Sequence, residues 1–177
     1  MRETERITDQ ALKMFGGGAW HGPSVMEALT DVDANVAASH PIPGAHSIWE
    51  LVLHLVATQA VLLRRMRAET AGLDPGEFWP VVPSVSESAW AETVERLKQQ
   101  ETELREAIRA FPEDRLEARL MAEGSSAYNN FHGHVQHNAY HAGQINLLKK
   151  AGVAKPAASM WNLCYSLGLP TPLLQDK

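Results

Sequence analysis

The sequence predicts an all-α protein: a four-helix bundle closed by a short C-terminal helix. Three observations lead there. Apolar residues recur at intervals of three and four along several long segments, and no segment alternates as a half-buried strand does. Stretches bearing proline and glycine, PIPG at 41–44 and DPGEFWPVVPS at 74–84, separate those segments. The 177 residues suit one domain, long enough to bury about two-thirds of its extended-chain surface.

The elements follow in order. A first helix is predicted from Pro23, a residue suited to an early helical position, with Ser24-x-x-Glu27 as a capping box. It runs to about His40. The second opens on a stronger capping box, Ser47-Ile48-Trp49-Glu50, and continues to about Ala71. From Ile48 to Leu63 it is apolar nearly all round, apart from a strip of Ser47, Glu50, His54 and Thr58. The third carries Trp90, Val94, Leu97, Glu101, Leu104, Ile108 and Phe111, spaced as a helix packed along its whole length in a bundle. The fourth spans roughly Ala127 to Ala151, with Gly152 at the C′ position. After Lys155-Pro156, AASMWNLCYSLGL is predicted to form the closing helix, with Met160, Trp161, Cys164 and Leu167 expected to face the bundle.

Composition narrows the function. The formal net charge is −5, and the basic clusters (Arg64, Arg65 and Arg67; Lys149 and Lys150) are too short for the basic stripe of a nucleic-acid binder. Cys164 is the single cysteine, which excludes an internal disulfide and a thiolate metal cage. The first twenty residues, MRETERITDQALKMFGGGAW, lack the apolar core of a signal peptide. The longest apolar run, Leu51 to Leu63, is too short to span a bilayer. The expectation is a cytoplasmic protein without a membrane segment.

Chemistry concentrates in HGHVQHNAYHAGQI, from residue 132, which holds four of the chain's eight histidines. At about 100° per residue, His141 lies one turn beyond His137 and about 40° round, so both rings can converge on one ion. Gln144, Ile145 and Leu148 continue that face toward the core. His132 falls on roughly the opposite side. His134 shares the face but lies two turns, about 10.5 Å, from His141. Its ordinary reading is a histidine hydrogen-bonded near the helix start, with a role beside the site as the alternative.

A third ligand must come from another helix. His54 is a histidine in a buried helix and needs a partner there. Spacing alone leaves it balanced between a metal ligand and a core histidine bonded to an oxygen. Glu50, one turn before His54, and Gln144, one turn after His141, are within reach to orient the rings, with a helix-surface contact as the alternative for either. Glu101 sits where an apolar residue is expected; a buried ion pair with an arginine is its ordinary reading, a fourth ligand or general base the alternatives. His21, His40 and His46 flank loops and helix ends, where they cap or meet solvent. Gly143 costs about 1 kcal/mol inside a helix, which close approach by another helix would explain, as would mere tolerance of the glycine. HExxH, the Glu-x-x-His pair of di-iron bundles, a P-loop and GxSxG are all absent.

The segment HGHVQHNAYHAGQINLLKKAG closely resembles the final-helix signature of the DinB-like superfamily. GAHSIWELVLHLVATQAVLLRRM resembles that family's second helix, and WHGPSVMEAL its first. The resemblance covers roughly Trp20 to Gly152. It implies a four-helix bundle with up-down-down-up connections, frequently a homodimer, and a divalent metal, zinc or nickel foremost, held by three histidines. Carried over residue by residue these are His54, His137 and His141. Relatives of this kind include thiol-dependent enzymes, such as bacillithiol S-transferases and mycothiol-dependent maleylpyruvate isomerase, and proposed metal-dependent hydrolases. The resemblance therefore implies a metal-dependent enzyme acting on a small molecule, with a low-molecular-weight thiol as cosubstrate, or a hydrolase. A non-catalytic metal-binding stress-response module is the reading from another class. No thiol-binding motif stands in the sequence, and the acidic balance argues against nucleic acid as a partner.

Overall fold

The computed structural model describes residues 1–68 and 75–153. Among these the protein is all-α, with helices α1 (Glu3–Gly16), α2 (Val25–Ala28), α3 (Ala34–Ala38), α4 (Ile48–Met66), α5 (Glu87–Ala110) and α6 (Ala127–Val153). Two 3₁₀ turns, Pro75–Phe78 and Glu113–Arg115, join the longer elements. Arg119 and Ser126 form an isolated bridge, and no strand occurs among the described residues. None of the described helices is long and apolar enough to cross a membrane. The closing helix expected around Met160 to Leu167, with Cys164, lies outside the described residues.

The bundle's four long helices are α1, α4, α5 and α6. This corrects the first element. The expected helix from Pro23 to His40 is two short helices, and the bundle's first helix lies before it, at Glu3–Gly16. Thr4, Ile7, Thr8, Ala11, Met14 and Phe15 of α1 are buried, a helical face whose period was present in the sequence. Downstream, Ser24 and Glu27 do form the reciprocal capping box. The helix stops after one turn because Asp31 adopts a left-handed φ of 60° and Asp33 caps a new start by accepting from the Val36 N–H.

Helix α5 follows the sequence closely, whereas α4 starts where expected but ends at Met66 with Arg67 as its C-cap, short of Ala71. Ser47 and Glu50 make the capping box of α4. Trp90, Leu97, Glu101, Leu104, Ile108 and Phe111 of the α5 stripe are buried. Gly152 does not terminate α6, which runs through to Val153.

The core is divided in two. One apolar cluster takes Met14, Trp49, Leu55, Trp90, Leu97, Ala142 and Ile145; the other takes Ile7, Leu62, Leu63, Leu104, Ile108 and Phe131. The order in which each helix visits them fixes the directions. Helices α4 and α5 pass from the first cluster to the second, while α1 and α6 pass from the second to the first. So α4 and α5 run parallel to each other and antiparallel to α1 and α6. Between the clusters lies a buried polar layer of Gln59, Glu101, His134 and Asn138, at the level of α6 where His137 also sits.

Candidate metal centre

Each of the three histidines is delivered by a regular helix. The capping box at Ser47 starts α4 so that His54 points toward α6 from the second turn, and the i, i+4 spacing stacks His137 below His141. In the folded chain one ring nitrogen of each of these three lies within 4.8 Å of the others. His54 Nε2 is 3.2 Å from His137 Nε2, and His141 Nε2 is 2.9 Å from it. Nitrogen ligands of a tetrahedral zinc ion stand about 3.3 Å apart, given bonds of about 2.0–2.1 Å. The cluster has the dimensions of a cation site.

Hydrogen bonding on the far side of the rings fixes which nitrogen faces inward. His54 Nδ1 is 2.7 Å from the Phe78 carbonyl, which can only accept, so Nδ1 carries the proton. His141 Nδ1 donates to Gln144 Oε1 at 2.6 Å, and the amide is oriented because its Nε2 donates to the Tyr140 hydroxyl at 3.1 Å. In neutral rings both Nε2 atoms therefore present lone pairs to His137 Nε2, which has one proton to offer at most. A single proton on His137 Nε2 can satisfy only one of the two, whereas one cation satisfies all three Nε2 atoms. The donor set fits a divalent metal.

Electrostatics keep the rings neutral. Burial, reinforced by the charges that His141 and His54 would carry, lowers His137 to about 4. Burial lowers His141 to about 4 as well, against the Gln144 hydrogen bond. His54 is lowered by burial, partly offset by its bond to Phe78. A neutral imidazole is the form that ligates.

The other sequence candidates fall into different places. Glu50 does not touch His54. Its Oε2 accepts from the Ser47 N–H at 2.7 Å and lies 3.1 Å from His40 Nε2 and 3.4 Å from His46 Nδ1. Burial alone would raise this carboxyl, but the Ser47 and His40 contacts outweigh it and hold it below its usual range. His132 faces α1, with Nε2 3.8 Å from Glu3. Among the described residues no atom of another helix lies within 4 Å of where a Gly143 Cβ would stand, so close helix approach does not account for that glycine. Glu101 is fully buried; its Oε2 is 3.0 Å from both His134 Nε2 and Gln59 Nε2, while Arg105 Nε stays 3.7 Å from Oε1. The expected arginine partner is the more distant one, and His134 is the nearer.

Two further residues shape the centre without having been marked in the sequence. Phe78 acts through its backbone carbonyl, which no side-chain pattern reveals. Trp79 stacks on His54 with ring centroids 4.0 Å apart, and His46 stacks on its other face at 3.7 Å. Both come from the proline-rich connection, which has no periodicity to read. Cavities open on either side of the cluster. One of about 290 Å³ is lined by His137, His134, Thr58, Arg65, Phe78 and Asn129. The other, about 310 Å³, is lined by His141, Gln144, Tyr140, Trp79, His46 and Leu147.

The sequence model of the DinB superfamily matches residues 21–145. That range contains the triad. No curated protein and no solved structure matches the chain.

Proposed function

Since this chain belongs to the DinB superfamily, we propose that His54, His137 and His141 hold one divalent ion, zinc or nickel, in a metal-dependent enzyme that transfers a low-molecular-weight thiol. The observation that carries the metal is the convergence of three Nε2 atoms whose outer rings have their Nδ1 protons engaged elsewhere. The cavities beside His137 and His141 favour an enzyme over a module whose ion only staples α4 to α6. A divalent cation in the triad supplies the charge that lowers the pKa of a thiol or water at the site.

The chain's own groups do the rest. The Phe78 carbonyl and the Gln144 amide hold two rings in the tautomer that ligates. Trp79 covers one face of His54 and restricts water on that side. The apolar walls Val61, Leu62 and Phe78 of the first cavity suit an uncharged portion of a substrate. The thiol belongs to a cosubstrate, since Cys164 has no neighbouring histidine or lysine in the sequence to activate it. The reading extends to a cytoplasmic homodimer that binds neither nucleic acid nor membrane.

Metal-loaded protein assayed with bacillithiol, mycothiol, glutathione and cysteine against a chlorinated aromatic or an epoxide tests this. Rate enhancement should vanish in His137→Ala and survive in Cys164→Ala. Turnover of esters or amides with no thiol reaction would replace it with the hydrolase.

A further inference from the structure

A buried carboxylate in a bundle core is costly unless paired, and Glu101 is fully buried. Its Oε2 meets His134 Nε2 and Gln59 Nε2, each at 3.0 Å. Asn138 Nδ2 also lies 3.3 Å from His134 Nε2. One nitrogen cannot donate to the carboxylate and accept from the amide together; the shorter, charge-assisted contact prevails, so Nε2 carries the proton and Nδ1 the lone pair. Nδ1 has no hydrogen-bond partner among the described residues, and the His134 ring lines the same cavity as His137.

From this arrangement we propose that His134 is the proton acceptor of the cavity it shares with His137, with Glu101 as its positioning residue. The proposal rests on the metal-site reading of the triad. A thiol entering the cavity breaks its S–H bond: the electron pair stays on sulfur, and the proton passes to His134 Nδ1. The resulting imidazolium keeps its Nε2–H on the Glu101 carboxylate, which stabilises the charge without taking the proton. Among the described residues, the charged and titratable groups set around His134 are Glu101 and Arg105 from α5, Arg65 from α4 and His137 on its own helix. Gln59 and Asn138 complete the layer, each keeping one buried oxygen unpartnered.

The test uses the full chain loaded with zinc. Long-range proton–nitrogen spectra of the imidazoles should show His134 as the Nε2–H tautomer; the Nδ1–H tautomer overturns the proposal. Calorimetry at pH 7 with 2-mercaptoethanol, in buffers of different ionisation enthalpy, then counts protons released on thiol binding. His134→Gln should release about one proton more than the parent at unchanged zinc content. Glu101→Gln, which keeps the side chain's shape, should shift the count the same way and supplies the answer if His134→Gln does not fold. Equal proton release overturns the proposal alone, as does zinc-loaded protein that takes up no thiol. A parent chain that binds no zinc overturns the metal reading and this proposal together.

Discussion

His54 Nε2 and His137 Nε2 lie 3.2 Å apart although 83 residues separate them in the chain. One comes from α4 and the other from α6, which run antiparallel. Their meeting depends on the depth at which each helix sits in the bundle, so the pair reports on the assembled fold. With His141 Nε2 at 2.9 Å on the other side, three lone-pair donors crowd a space that suits one cation.

Removing any one ligand should empty the site. His54→Ala, His137→Ala and His141→Ala are expected to lose at least 10-fold in metal affinity, the range that even supporting contacts reach. His132→Ala, whose ring faces Glu3, should bind as the parent does. Elemental analysis after purification without a histidine tag reads the difference. Full occupancy in all three ligand variants would exclude the assignment.

Metal should stabilise the bundle without being required for it. Two apolar clusters of described residues pack independently of the centre's ring nitrogens, unlike the core of a small zinc domain. Free metal at about 100 times Kd adds about 2.7 kcal/mol. Chelation should therefore lower Tm while the far-ultraviolet spectrum stays helical. Collapse of that spectrum on chelation contradicts the expectation.

Acid should act on the same nitrogens. His137 and His141 sit near 4 in the folded chain, against about 6.5 unfolded. Between those values the unfolded chain binds more protons, so stability rises with pH. The metal-free protein should keep this contribution above about 6.5 and lose it progressively as pH falls toward 4. In the loaded protein protons compete with the ion, and metal should leave over an acidic range. Denaturant midpoints measured across pH 4–7, with and without metal, check both; a flat metal-free profile would contradict the burial argument.

Glu50 and Gln144 should separate cleanly. Glu50→Ala removes half of a capping box and should cost about 1 kcal/mol of stability with metal affinity kept. Gln144→Leu frees the His141 Nδ1–H and should weaken metal binding by about 10- to 100-fold with little effect on stability. Parallel titrations with metal and urea distinguish them, and the reverse pattern would refute the placement of both residues.

Loss of the buried carboxyl should be severe. Glu101→Ala leaves Gln59 and His134 without their partner and is expected to cost about 3–5 kcal/mol. A urea midpoint unchanged from the parent would show that the polar layer does not depend on it.

The all-α class, the capping boxes of α2 and α4, the stripe of α5 and the i, i+4 pair on α6 were legible in the sequence, because each is set by neighbours within a few residues. The helix α1 is equally legible from its period, since Ile7, Ala11, Met14 and Phe15 share one face. The break between α2 and α3 was not, since it turns on the left-handed backbone of Asp31. What only the tertiary structure decided is which distant groups share a space. His54 faces the pair on α6, and the Phe78 carbonyl rather than Glu50 holds its ring. Trp79 stacks on it from a connection without periodicity, and Glu101 pairs more closely with His134 than with Arg105. A sequence records the angle of a side chain around its own helix, but how deep two antiparallel helices sit against each other is settled by packing, and that depth brings His54 Nε2 to 3.2 Å from His137 Nε2 and Glu101 Oε2 to 3.0 Å from His134 Nε2.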